Sequence, residues 1–232
     1  MTPLAERYIE IRNRMDRACA RVGRSPEEVT LVAVSKTFPI ERVQTLHDLG
    51  HVDFGENKIQ DLAAKASVLP GGIQDGFARW HAIGHLQRNK AREVVRYADV
   101  FHALDSERLA AELDRRCADA GRRLTCFVQV NISGEDSKSG IEPELVHSFV
   151  DGLREFDSLD IRGFMALASP VVDPESVRPE FRRLADLARS YAGLHEEARL
   201  ESLSMGMSAD FEIAIEEGAT HVRIGSAIFG ER

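Results

Sequence analysis

Lys36 closes the run LVAVSKTFP, residues 31–39, in which Val32 and Val34 alternate with small residues before the chain meets a cation. A period of two turns Lys36 to the same side as those valines. If they fill the interior of a sheet, the amine sits over an apolar floor, partly out of water. A lysine so held suits a Schiff base with an aldehyde. Far along the chain, MGMSADF (205–211) and IGSAIFG (224–230) each bring glycine and serine to the start of a helical pattern. Gly206 and Gly225 permit close backbone approach, Ser208 and Ser226 add hydroxyls, and free N–H groups at a helix start favour an anion. Glycine and serine are also ordinary turn residues, so either loop alone says little. Set across one mouth from an amine, the two loops describe a site for an aldehyde that carries a phosphate. Pyridoxal 5′-phosphate has that chemistry.

Arg223 adds to this. It lies between Val222 and Ile224, so period two turns it the opposite way from both. If those two pack against helices, the guanidinium points inward. Arginine keeps its proton, so beside a pyridine nitrogen it would hold that nitrogen unprotonated, where an aspartate would make the ring a strong electron sink. The alternative is an arginine paired with Glu216 or Glu217.

The elements that must position these groups alternate from end to end. Leu4, Tyr8, Ile11, Met15, Ala18 and Val22 mark one face of an N-terminal helix that Gly23 can stop. Eight β-rich runs follow: 30–35, 51–54, 79–83, 100–104, 124–131, 161–167, 200–204 and 221–225. Helical patterns separate them. Pro39 can open the second helix, Gly50 can close it, Ser106 can cap the helix that ends near Gly121, and Ser208 can cap the one that Gly218 ends. Eight strand–helix pairs match a closed (β/α)8 barrel, a TIM barrel with an extra helix at its N-terminus. A doubly wound open sheet competes, but no glycine-rich dinucleotide fingerprint follows the first strand. No linker stands out, so residues 1–232 are expected to form one domain. The barrel rule then places function at the C-terminal strand ends. Those ends deliver Lys36, Gly55, Glu56, Asn57, Gly84, His85, Asp105, Ser106, Asn131, Ser133, Met165, Met205, Gly206, Met207, Ser208, Arg223, Gly225 and Ser226.

Bulk properties narrow the classes. The chain has 232 residues, 43% of them hydrophobic, and a net charge of −8, which argues against nucleic acid as a main partner. Cys19, Cys117 and Cys126 are odd in number and widely spaced, which suits reduced thiols rather than a disulfide framework. No signal peptide and no apolar window of membrane-spanning length is visible. A cytoplasmic protein is expected. His47 and His51, like His81 and His85, have HxxxH spacing, but a glycine falls inside each pair and neither carries the HExxH glutamate. No metal is expected.

Several blocks together carry a resemblance: LVAVSKTFP, FGENKIQD, WHAIGHLQRNK, HALDS, VNISGEDSKSG, GFMALA and LSMGMSADFEIAIEEGATHVRIGSAIFG. Running in that order from residue 31 to 230, they resemble the pyridoxal phosphate homeostasis proteins. The resemblance implies a fold-type III barrel like the barrel domain of alanine racemase, with Lys36 as the Schiff-base lysine and Arg223 near the pyridine nitrogen. It puts Ser204, Met205, Gly206, Met207, Ser208, Gly225 and Ser226 in the phosphate-holding blocks and Asn57 in the block whose asparagine approaches the cofactor. Lys138 matches a lysine of a mobile loop. It further implies a role in holding and buffering the cofactor, with PLP-dependent apoenzymes as recipients, rather than metabolic catalysis. A monomer is expected.

An amino-acid racemase is the rival reading. Two-base racemization needs a second acid/base opposite the lysine, and in alanine racemases a tyrosine from a separate β domain supplies it. This chain ends directly after the barrel pattern, and Tyr8, Tyr97 and Tyr191 all fall within helical patterns. No catalytic residue is therefore expected.

Overall fold

A computed structural model describes residues 2–70, 78–134, 139–170, 173–194 and 200–230, side chains of 193 and 194 apart. The chain begins with helix α1 (Pro3–Arg21) and then alternates. The first half holds β1 (Thr30–Val34), α2 (Ile40–His47), β2 (Asp53–Glu56), α3 (Ile59–Ala66), β3 (Arg79–Ala82), α4 (Ala91–Tyr97), β4 (Val100–Leu104) and α5 (Glu107–Asp119). The second half holds β5 (Leu124–Gln129), α6 (Val146–Leu153), β6 (Leu159–Met165), α7 (Arg178–Leu194), β7 (Ser202–Ser204), α8 (Phe211–Glu216), β8 (His221–Ile224) and α9 (Ser226–Phe229). All eight strands are parallel, each pairs with the next, and β1 pairs with β8 to close the barrel. The expected fold class is the observed one.

Register decides what faces in. Val32 stands opposite Arg223, and Val34 opposite Gly55. A β-carbon added to Gly55 would lie 2.9 Å from Val32 Cγ1, so these side chains share the barrel interior. Leu31, Ala33, Val222 and Ile224 take the other side and join the apolar layer between strands and helices. The alternation read around Lys36 and Arg223 therefore holds. Below the mouth, however, the interior carries buried polar side chains from several strands: Asp53, His81, His102, Ser204 and Arg223. An apolar filling would be usual.

All eight expected strands form, with shifted ends. β2 begins at Asp53, two residues late, and runs through the charged Glu56, because its ladder to β3 pairs Asp53 with Arg79 and Glu56 with Ala82. Helix α1 buries Leu4, Ile11, Met15 and Ala18 and packs on α8 and α9. Val22 is its C-cap and is 41% exposed, off the expected face. Arginines tie this layer to helix C-termini, where unpaired carbonyls need donors. Arg24 donates to Ile215 O and Ala219 O, both at 2.9 Å, and Arg7 donates to Ile228 O at 2.8 Å. No helix among the described residues is long and apolar enough to cross a membrane.

Candidate functional site

A cavity of about 880 Å³ opens where the strands end. Seven of the ten expected site residues line it: Lys36, Asn57, Met207, Ser208, Arg223, Gly225 and Ser226. They come from both ends of the sequence, which barrel closure brings together. His85, Gln129 and Asn131 join them from the middle strands. Among the described residues of the lining there is no carboxylate. In a chain of net charge −8, this hollow with a lysine and an arginine favours an anion.

Lys36 sits half-buried just past β1. The Phe38 N–H donates to Ser35 O at 3.0 Å, closing a turn over Lys36 and Thr37. Thr37 has φ +70°, a conformation costly for a β-branched residue and one that clusters at functional sites. The turn is pinned from below. Lys65 Nζ donates to Ser35 O at 2.8 Å and to Ser35 Oγ at 3.2 Å, and it pairs with Glu56. Ser35 Oγ donates to Glu56 Oε1 at 2.7 Å, while Glu56 Oε2 is buried with no hydrogen-bond partner among the described residues. Burial pushes the Glu56 carboxyl above its ordinary range, against the pull of Lys65 and Ser35. A buried ion pair thus supports the amine from behind. The strand-end rule named Glu56, but nothing in the sequence named Lys65 as its partner.

Arg223 is 4% exposed and donates to Ser204 Oγ at 2.6 Å and to Ala166 O at 2.8 Å. Burial pulls the guanidinium down to about 10, with Asp210 opposing. Glu216 and Glu217 are taken by Arg21, Arg178 and Arg182 instead, so the alternative pairing is not the one formed. Ser204 lies behind the cavity wall, fully buried, as the arginine's support. Met205 is also fully buried, in the apolar layer. Gly206 holds φ +90°, and a β-carbon there would lie 2.5 Å from Ala214 Cβ, so only glycine fits.

Ser208 does not cap the helix that follows it. Asp210 takes that place, accepting the Met207 N–H at 2.6 Å. Ser208 Oγ instead accepts the N–H groups of Gly225 at 3.3 Å and Ala227 at 3.4 Å. The two glycine–serine loops are therefore joined across their tips. On the opposite wall Gly84 packs on Asn57, whose carbonyl oxygen would lie 2.2 Å from any β-carbon at position 84.

Lys138 lies outside the described residues. His51 is buried and bonded to Tyr8 and to Asp53 O, and His85 bonds Asp105 at 3.3 Å. Among the described residues no cluster of His, Cys, Asp or Glu could hold a metal ion. Tyr8, Tyr97 and Tyr191 lie in α1, α4 and α7. Cys19, Cys117 and Cys126 are buried free thiols, and burial pushes Cys117 up to about 11, away from thiolate chemistry.

Residues 9–232 match the family model described as alanine racemase, N-terminal domain. A pyridoxal phosphate homeostasis protein of Aquifex aeolicus is 37% identical over 98% of this chain and 97% of its own length. One from Escherichia coli K12 is 40% identical over 100% of this chain and 98% of its own. The solved structure of PipY from Synechococcus elongatus with PLP bound superposes with a TM-score of 0.82 at 32% identity, covering 94% of this chain and 100% of that one.

Proposed function

This chain belongs to the alanine racemase N-terminal domain family, among its pyridoxal phosphate homeostasis proteins, and we propose that it holds pyridoxal 5′-phosphate as a Schiff base on Lys36 and buffers the cofactor. One observation carries the reading. A single cavity without a carboxylate among its described lining residues joins a lysine amine, a buried arginine and two glycine–serine loops. An aldehyde, a pyridine ring and a phosphate need that set of partners. The PLP-bound relative of the same fold supports the choice of cofactor.

The roles follow from chemistry. When bound, the cofactor supplies an electrophilic aldehyde carbon and an anionic anchor. Lys36 offers the amine, held over Val34 by the turn that Lys65 braces. Ser208 and Ser226 would take the phosphate with their hydroxyls, beside Gly225 and Met207 in the lining, with Gly206 setting the loop and Met205 anchoring it in the core. Asn57 bounds the ring from the β2 side. Arg223, kept charged against burial, would donate an N–H hydrogen bond to the pyridine nitrogen and keep that atom an unprotonated acceptor, which would deny the ring its full electron-withdrawing power. The site therefore retains the cofactor while activating it weakly, which fits a carrier that passes PLP to apoenzymes in the cytoplasm as a monomer.

The test is a spectrum. The protein mixed with PLP should show a band in the near-ultraviolet to visible region that Lys36→Ala abolishes. Racemization of alanine or serine should stay at the level of that variant. A band that survives the substitution, or efficient Lys36-dependent turnover, overturns the reading.

A further inference from the structure

The polar residues inside the barrel form one continuous chain from its floor to Arg223. Asp53, at the start of β2, accepts from Arg79 at 2.7 Å through Oδ2 and faces His81 Nε2 at 3.0 Å through Oδ1. His81 Nδ1 lies 2.9 Å from His102 Nε2, and His102 Nδ1 lies 2.8 Å from Ser204 Oγ. Ser204 Oγ receives Arg223 Nη1 at 2.6 Å. The central links are almost sealed from water: His81 is 1% exposed, and His102 and Ser204 are 0%.

The order of donors along this chain follows from its ends. The Asp53 carboxylate only accepts, and it is held down to about 2 by His81 and Arg79 against its burial. His81 Nε2 must then carry hydrogen. A hydrogen on His81 Nδ1 as well would move the His102 hydrogen to Nδ1 and leave the buried Ser204 hydroxyl with no acceptor in the chain, so His81 Nδ1 is the acceptor and His102 Nε2 carries hydrogen. Burial, with His81, His221 and Arg223 nearby, holds His102 well below the ordinary imidazole range, so it is neutral. Its Nδ1 is therefore bare and takes the Ser204 hydroxyl proton. The Ser204 lone pairs are left for Arg223. No other assignment satisfies every group. His221, also on the floor, packs against both rings but bonds Thr220 Oγ1 at 2.9 Å and takes no part in the chain.

We propose that Asp53 is a positioning residue for Arg223, acting through His81, His102 and Ser204 to fix the direction of every hydrogen bond between barrel floor and cofactor cavity. Resting on the assignment of Arg223 to the cofactor ring, the proposal makes the floor carboxylate a determinant of how firmly PLP is held. Asp53 touches neither cofactor nor cavity.

Nitrogen-15 NMR of the cofactor-free protein tests the chain directly. Both His81 and His102 should be Nε2–H tautomers with bare Nδ1 atoms. Hydrogen on His102 Nδ1, or two protons on His81, overturns the proposal. Asp53→Asn keeps the shape but admits the wrong tautomer, as an amide can donate; hydrogen should then appear on His102 Nδ1. In the loaded protein Asp53→Asn should weaken PLP binding at least about twofold, and Ser204→Ala should erase that difference. A full Asp53→Asn effect in the Ser204→Ala background overturns the proposal. Since the tautomers are read without cofactor, they stand or fall apart from the Lys36 spectrum. The wild-type tautomers decide the matter even if the variants fold poorly.

Discussion

At the scale of single residues, the site depends on groups that never meet the cavity. Lys65 and Glu56 form an almost fully buried ion pair beneath the Lys36 turn. Removing one partner leaves a charge uncompensated, so Lys65→Met should cost about 3–5 kcal/mol. Adding Glu56→Gln should recover much of it, because the bare charge is gone. Urea unfolding of the single and double variants measures both. Thr37 holds φ +70° at the third position of the turn that Phe38 N–H closes onto Ser35 O, a position that favours glycine. Thr37→Gly should therefore be neutral or stabilising by up to about 1 kcal/mol. If the strain serves to aim Lys36, the same variant should bind PLP less tightly while unfolding later, and fluorescence titration beside urea melts separates the two.

At the scale of elements, the β7–α8 and β8–α9 loops act as one unit because Ser208 bridges them. Their geometry rests on Gly206, where φ is +90° and Phe211 Cα lies 3.0 Å from an added β-carbon. Gly206→Ala should destabilise by roughly 2 kcal/mol or more and loosen the anion site. Gly121 is the control. It has φ +62° but open space around it, so Gly121→Ala should cost only about 1 kcal/mol and leave PLP affinity unchanged. Denaturation midpoints and PLP titrations on both variants test this. The sequence reading found these two loops from glycine and serine content, yet it assigned Ser208 to the wrong helix start. A serine three residues before a helix reads as a cap, and only the parallel pairing of β7 with β8 brings the amides of Gly225 and Ala227 to it.

At the scale of the whole molecule, buried titratable groups set a pH limit on stability. Burial lowers His51 from 6.5 to about 4 and holds His102 well below the ordinary imidazole range. Between about pH 6.5 and 4 the unfolded chain takes up protons at these rings that the folded chain refuses. Stability is therefore complete above the unfolded pKa and falls with acidification, by about 1.4 kcal/mol per pH unit for each ring. Asp53, lowered from 3.8 to about 2, acts in the same direction at still lower pH. Urea midpoints should be flat between about pH 7 and 8 and decline steadily toward pH 5. His51→Phe should shallow that decline by the contribution of one ring.

Local alternation and punctuation were enough to identify eight strands, their order with the helices, and the inward turn of Lys36 and Arg223, because period two is a property of neighbouring residues. The resemblance of whole blocks pointed to the cofactor. Other features were not local. His102 and Ser204 stand 102 positions apart in the chain and bond only because the barrel closes. Met205 goes to the apolar layer and Ser204 to the interior because successive strand residues face opposite ways, and the register of β7 on β8, which pairs Ser204 with His221, settles which is which. Lys65 reaches Ser35 because α3 packs back on β2, the neighbour of β1 in the barrel. A one-dimensional pattern can say on which side of an element a group lies; which group it meets there is decided by how the elements pack.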